Sequence, residues 1–100
     1  MDMVKAFEID RERMTEKIYH RLMCIGVYSD ELESYEMRNS VKLYTSFKNM
    51  NKNSYGALLN FRQRLVECMK YYTAGKSIKL AGEIISCIND FLGKYEPLLS

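Results

Sequence analysis

Apolar residues spaced three and four apart recur through almost the whole chain, and this periodicity constrains the fold more than any other feature. Val4, Phe7, Met14, Ile18, Leu22 and Ile25 fall on one stripe. They predict a helix from near Asp2 to Ile25, about six turns long. Gly26 offers a C-terminal stop. Arg11 sits where the stripe wants an apolar residue. Two roles are open to it: pairing across an oligomer seam to fix register, or a stem that snorkels so that the head reaches water.

A second stripe is expected from Leu32, Tyr35, Leu43, Tyr44, Phe47 and Met50, with Ser29 or Asp30 as its cap. Arg38, Asn39 and Ser40 weaken its middle and predict a kink or break there. The polar run Asn49 to Ser54 marks a turn. Ser54 then caps a third helix to about Thr73, carrying Leu58, Phe61, Leu65, Cys68, Met69 and Tyr72. A short link, Thr73 to Lys76, leads to Ser77 as the cap of a fourth helix. That helix carries Leu80, Ala81, Ile84, Cys87, Ile88, Phe91 and Tyr95 and ends before Pro97. Gly82 inside it suggests a close helix contact, and Gly93 the start of fraying. No alternating β pattern competes with these stripes.

Four helices with three short links predict an all-α, antiparallel up-down bundle. A three-helix variant follows if the second segment breaks. With 100 residues the chain makes a single domain, residues 1–100. In size and inferred architecture it is similar to bacteriocin immunity proteins, which are small helical bundles. The likeness is one of architecture and carries no motif.

The N-terminus is interrupted by acids at once, so no secretory leader is expected. The longest mainly apolar uncharged run, Leu22 to Ser29, is far short of the ~20 residues of a membrane span. Cys24, Cys68 and Cys87 form no C-x-x-C pair, and their odd number argues against a disulfide framework. A soluble, cytoplasmic protein is the expectation, with no membrane partner.

The chain has 15 basic and 13 acidic residues, a net charge of +2. That balance gives no general electrostatic pull toward nucleic acid. The whole excess falls in residues 54–75, where Arg62, Arg64 and Lys70 face Glu67 alone. Lys70, Tyr71, Tyr72, Lys76 and Lys79 make a small basic and aromatic neighbourhood, of the kind that holds bases and phosphates. Gly75-Lys76-Ser77 fails the spacing of a phosphate loop, because Lys70 stands where a glycine is required. A weaker reading remains, an anion held at the start of the fourth helix near Lys70, Lys76, Ser77 and Lys79. Ordinary capping by Ser77 is the simpler reading.

Catalytic chemistry lacks its parts. His20 is the single histidine. With Cys24 it stands one helical turn apart, a metal-compatible spacing, but the other ligands would have to be Cys68 and Cys87 from other helices. Small core thiols account for these cysteines more simply. No Glu-x-x-His pair, nucleophile elbow or dinucleotide turn occurs. No enzyme activity, metal or cofactor is expected.

Eight tyrosines, four phenylalanines and seven methionines exceed what so small a core takes in. Tyrosine, methionine and arginine are enriched at interfaces. The function expected is a non-catalytic protein–protein interaction module: an adaptor, inhibitor, antitoxin or immunity-type factor. Its face would be built on the first and third helices from Tyr19, Arg62, Arg64, Tyr71 and Tyr72. Nucleic-acid or nucleotide binding at the basic end, and a homodimeric structural module, are the alternatives.

Overall fold

A computed structural model describes residues 2–27 and 35–100. It contains four helices: α1 (Met3–Val27), α2 (Tyr35–Asn49), α3 (Tyr55–Met69) and α4 (Gly75–Tyr95). A 3-10 turn, Glu96–Leu98, follows α4. Among the described residues there is no strand, so the chain is an all-α four-helix bundle. The second segment is one continuous helix from Tyr35, and the three-helix variant is set aside.

Each helix packs beside two others, α1 against α2 and α4, and α3 against the same pair. α1 and α3 are therefore diagonal. Cross-helix partners give the directions. Asp10 meets Tyr95 while Arg21 meets Glu83, so α1 and α4 are antiparallel. Asn39 meets Cys68 while Ser46 meets Arg64, so α2 and α3 are too. The bundle measures 46 × 22 × 20 Å. At about 10 Å per helix this is two helices in each direction, so every helix keeps a solvent face.

The core keeps most of the expected stripes, while Tyr44, Met50, Cys68, Met69, Leu80 and Cys87 pack against it only partly buried. Phe7, Met14, Ile18, Leu22 and Ile25 of α1 meet Leu43 and Phe47, then Leu58, Phe61 and Leu65, then Ala81, Ile84, Ile88, Phe91, Leu92 and Tyr95. Phe7 stacks on Phe91 with centroids 5.4 Å apart, and Tyr95 meets the edge of Phe7 at the same distance. Val4 is corrected to an exposed position, because the packing partners end at Phe7, one turn further along.

The helix ends depart from expectation in several places. α1 runs through Gly26 to Val27, since glycine permits a left-handed cap without imposing one. The expected positions of Tyr28, Ser29, Asp30 and Leu32 lie outside the described residues. α2 shows no break at Arg38 to Ser40. Its buried face is Glu36, Ser40, Leu43 and Phe47, polar in its first half, and Tyr35 points outward. Ser54 caps α3 as expected, its hydroxyl accepting from the Ala57 amide at 3.2 Å. α3 ends at Met69, short of Thr73, and Tyr72 is buried in the link instead. Gly82 makes no close contact: a Cβ there would meet nothing within 4 Å. Arg11 snorkels, its guanidinium lying 5.4 Å over the Phe7 ring and donating to Asn53 at 2.6 Å. Among the described residues no helix is long and apolar enough to cross a membrane.

Candidate functional site: an apolar groove between the first two helices

The start of α4 illustrates how polar groups are used in this fold. Its cap position is Ala74, which has no side chain to offer. Glu36, reaching over from α2, takes that role. Its Oε1 accepts the Thr73 amide at 2.5 Å, the Thr73 hydroxyl at 3.1 Å and the Ala74 amide at 3.1 Å. A carboxylate at a helix N-terminus also meets the positive end of the helix dipole. Burial pushes the Glu36 carboxyl up, but the Thr73 amide, the Ala74 amide and the Thr73 hydroxyl outweigh it, and its pKa lies below the ordinary value.

Ser77 is thus not the cap. It is fully buried in the first turn of α4 and donates to the Ile25 carbonyl at 3.2 Å. Among the described residues Glu36 Oε2 is buried and takes no hydrogen bond. The expected place for an external anion is already held by the chain's own carboxylate.

The remaining residues singled out in the sequence are scattered. Arg62 donates to Asn89 at 2.6 Å, and Arg64 to Ser46 at 2.6 Å. Both arginines tie α3 to its neighbours. Lys70 is paired with Glu67 at 3.4 Å. Tyr72 is buried, its hydroxyl donating to Asn39, while burial, with the nearby Cys68, Tyr35 and Glu36, pushes its pKa up. Tyr71 is 68% exposed and touches Tyr35 edge-on. Lys76 and Lys79 are exposed on the first turns of α4. Tyr19 lies between α1 and α2, against Tyr44 and Phe47. Because α1 and α3 are diagonal, a continuous face made from those two helices does not form.

The bundle instead leaves an apolar surface between α1 and α2. A groove of about 460 Å³ is lined by Leu22, Met23, Val27, Met37, Ser40, Val41, Tyr44 and Thr45. Met23 is 64% exposed, Val27 74% and Val41 61%, and Met37 is exposed on the same wall. Sequence reasoning missed the α2 wall. The signal was present as Met37 and Val41, two apolar residues one turn apart that lie off the buried stripe, matched by Met23 and Val27 on α1.

A second, polar cleft of about 290 Å³ lies between α1 and α4, near Asp10, Lys17, Cys87, Asp90 and Lys94. Asp10 Oδ2 accepts from the Tyr95 hydroxyl at 2.5 Å and from Lys94 at 3.1 Å. Those two bonds hold its carboxyl below its usual range. They make the cleft a clamp between the two helices.

The Cys24 sulfur lies 4.0 Å from the His20 ring nitrogens. Among the described residues no group of three His, Cys, Asp or Glu side chains is placed to hold a metal. Comparison with known protein families, with curated proteins and with solved structures yields no match.

Proposed function

We propose that this chain is a non-catalytic protein-docking module and that its working surface is the α1–α2 groove. The observation that carries this is the concentration of Met23, Val27, Met37 and Val41 at the surface around one groove. Isolated exposed apolar residues are ordinary, but apolar residues gathered at the surface around one groove favour an interaction site. The lining suits such a role. Methionine adapts its shape to an incoming side chain, and two parallel walls of i, i+4 residues accept a helix laid between them.

The test uses a photo-crosslinking amino acid placed separately at Val27, Val41 and, as a control on an exposed face of α3, Gln63. A docking groove gives one discrete protein adduct from Val27 and Val41 and none from Gln63. Equal labelling from all three positions, or none from any, refutes the reading.

A further inference from the structure

We propose that the occupant of the groove is a second copy of this chain, joined about a two-fold axis parallel to the helices. The proposal rests on the docking reading and adds the partner's identity to it.

Register sets which residues of the two walls share a level. α1 and α2 are antiparallel, and Arg11 meets Asn53 while Tyr19 meets Tyr44. Met23 is thereby level with Val41, Val27 with Met37, and Glu16 with Lys48. Along α1 the outward edge reads Glu12, Glu16, Met23, Val27, each step one or two turns. Along α2 it reads Met37, Val41, Thr45, Lys48. The face therefore has an apolar end and a charged end. At the charged end, α1 carries the acids and α2 the base.

Glu12, Glu16 and Lys48 are exposed, and among the described residues none of the three forms an ion pair. α2 itself presents Arg38, Lys42 and Lys48 outward, and its one acid, Glu36, is buried. A foreign partner needs a matching pattern of its own. A second copy already has it.

Symmetry selects the geometry. A two-fold axis along the helix direction sets α1 of one copy across α2 of the other at the same height. Met23 and Val27 then face the partner copy's α2 apolar wall, and Glu16 faces a lysine in both halves of an isologous contact. An axis perpendicular to the helices would set α1 on α1. Apolar residues would then meet acids unless the contact shrank to the apolar end alone. The parallel arrangement buries the patch and satisfies the charges together.

Such a face is at the small end of specific interfaces, so the dimer is expected to dissociate at micromolar concentration. Sedimentation equilibrium of the full chain, from about 1 to 200 μM, reads it directly. The native chain should form a dimer. Val41→Asp, at an exposed position, should weaken it by about 100-fold or more while the helical circular dichroism is unchanged. Val27→Asp serves as a second variant should Val41→Asp fail to fold. Glu16→Lys and Lys48→Glu should each weaken the dimer about tenfold, and the double variant should recover to within about threefold of native.

A native chain that stays monomeric at 200 μM overturns the proposal. So does a dimer indifferent to Val41→Asp, or charge reversals that simply add. If the chain is monomeric and Val41 still yields a discrete foreign adduct, the second copy is excluded and the docking reading stands. If it is monomeric and no adduct forms, both fall.

Discussion

Replacing Glu36 tests how the bundle is closed. Glu36 is 3% exposed and accepts three hydrogen bonds from Thr73 and Ala74 at the start of α4. Hydrogen bonds to charged groups contribute about 1.5–3 kcal/mol each in favourable burial. Thr73 is exposed, so its amide and hydroxyl regain water when the acid is removed, and they recover part of that. Deleting a buried carboxylate whose Oε2 has no partner among the described residues also relieves a desolvation cost of about 1–3 kcal/mol. The balance for Glu36→Ala is a loss of about 2 kcal/mol at neutral pH, within the range of lost caps and broken buried networks.

The pH dependence has a definite sign. The folded pKa of Glu36 lies below its ordinary value of 4.5, so the unfolded chain binds the proton more readily. Its stabilisation is complete above the unfolded value and is lost as pH falls through the folded one. Glu36→Gln keeps an acceptor and similar volume but no charge. It should cost about 1 kcal/mol at pH 7 and progressively less in acid. Urea denaturation followed by far-ultraviolet circular dichroism, repeated from pH 7 downward, measures both. A Glu36→Ala variant within about 0.5 kcal/mol of native, or a Glu36→Gln variant with the native loss of stability in acid, refutes the reasoning.

Two further outcomes can be read in the same assay. Gly82→Ala and Gly93→Ala should each stabilise by roughly 0.5–1 kcal/mol, because both lie inside α4 and an added Cβ meets nothing within 4 Å; a loss at either site would show a hidden clash. Leu43→Ala should cost about 2–5 kcal/mol and Val41→Ala less than about 0.5 kcal/mol, since Leu43 is buried and Val41 is not; equal costs would mean that Val41 packs within its own chain.

The stripes were legible in the sequence because burial needs a period that chain composition cannot hide. Phe7 to Ile25, Leu58 to Leu65 and Ala81 to Tyr95 reproduce the expected core almost residue for residue. Helix ends were less legible, for a physical reason. Ser54 caps its own helix, a local interaction readable over three residues. α4 is capped by Glu36, almost forty residues away, and nothing near Gly75 announces it. Glu36 and Ser40 broke the apolar pattern of α2 because each serves polar groups, Glu36 the amides and hydroxyl before α4 and Ser40 the Met37 carbonyl. The candidate surface was half legible. Tyrosines drew attention by number, yet Tyr72 and Tyr95 are core and Tyr19 wedges between helices. The groove comes from aliphatic residues that lie outside each stripe, and their meaning depends on which helices become neighbours.

The two ends of the bundle are held by different chemistry, and this gives its loosening a direction. At one end stacked Phe7, Phe91 and Tyr95 hold α1 to α4 chiefly through ring contacts indifferent to acid, and the part-exposed Asp10 at their rim adds the only acid-sensitive bonds described there. At the other, a buried carboxylate and the Ser77 hydroxyl hold the start of α4 through directional bonds. Hydrogen exchange along α4 should therefore form a gradient that steepens on acidification, with amides near Gly75 opening first and those near Phe91 last. The chain then behaves as a clasp with a hinge at its aromatic end, and the groove walls at Val27 and Met37 lie at the end that opens.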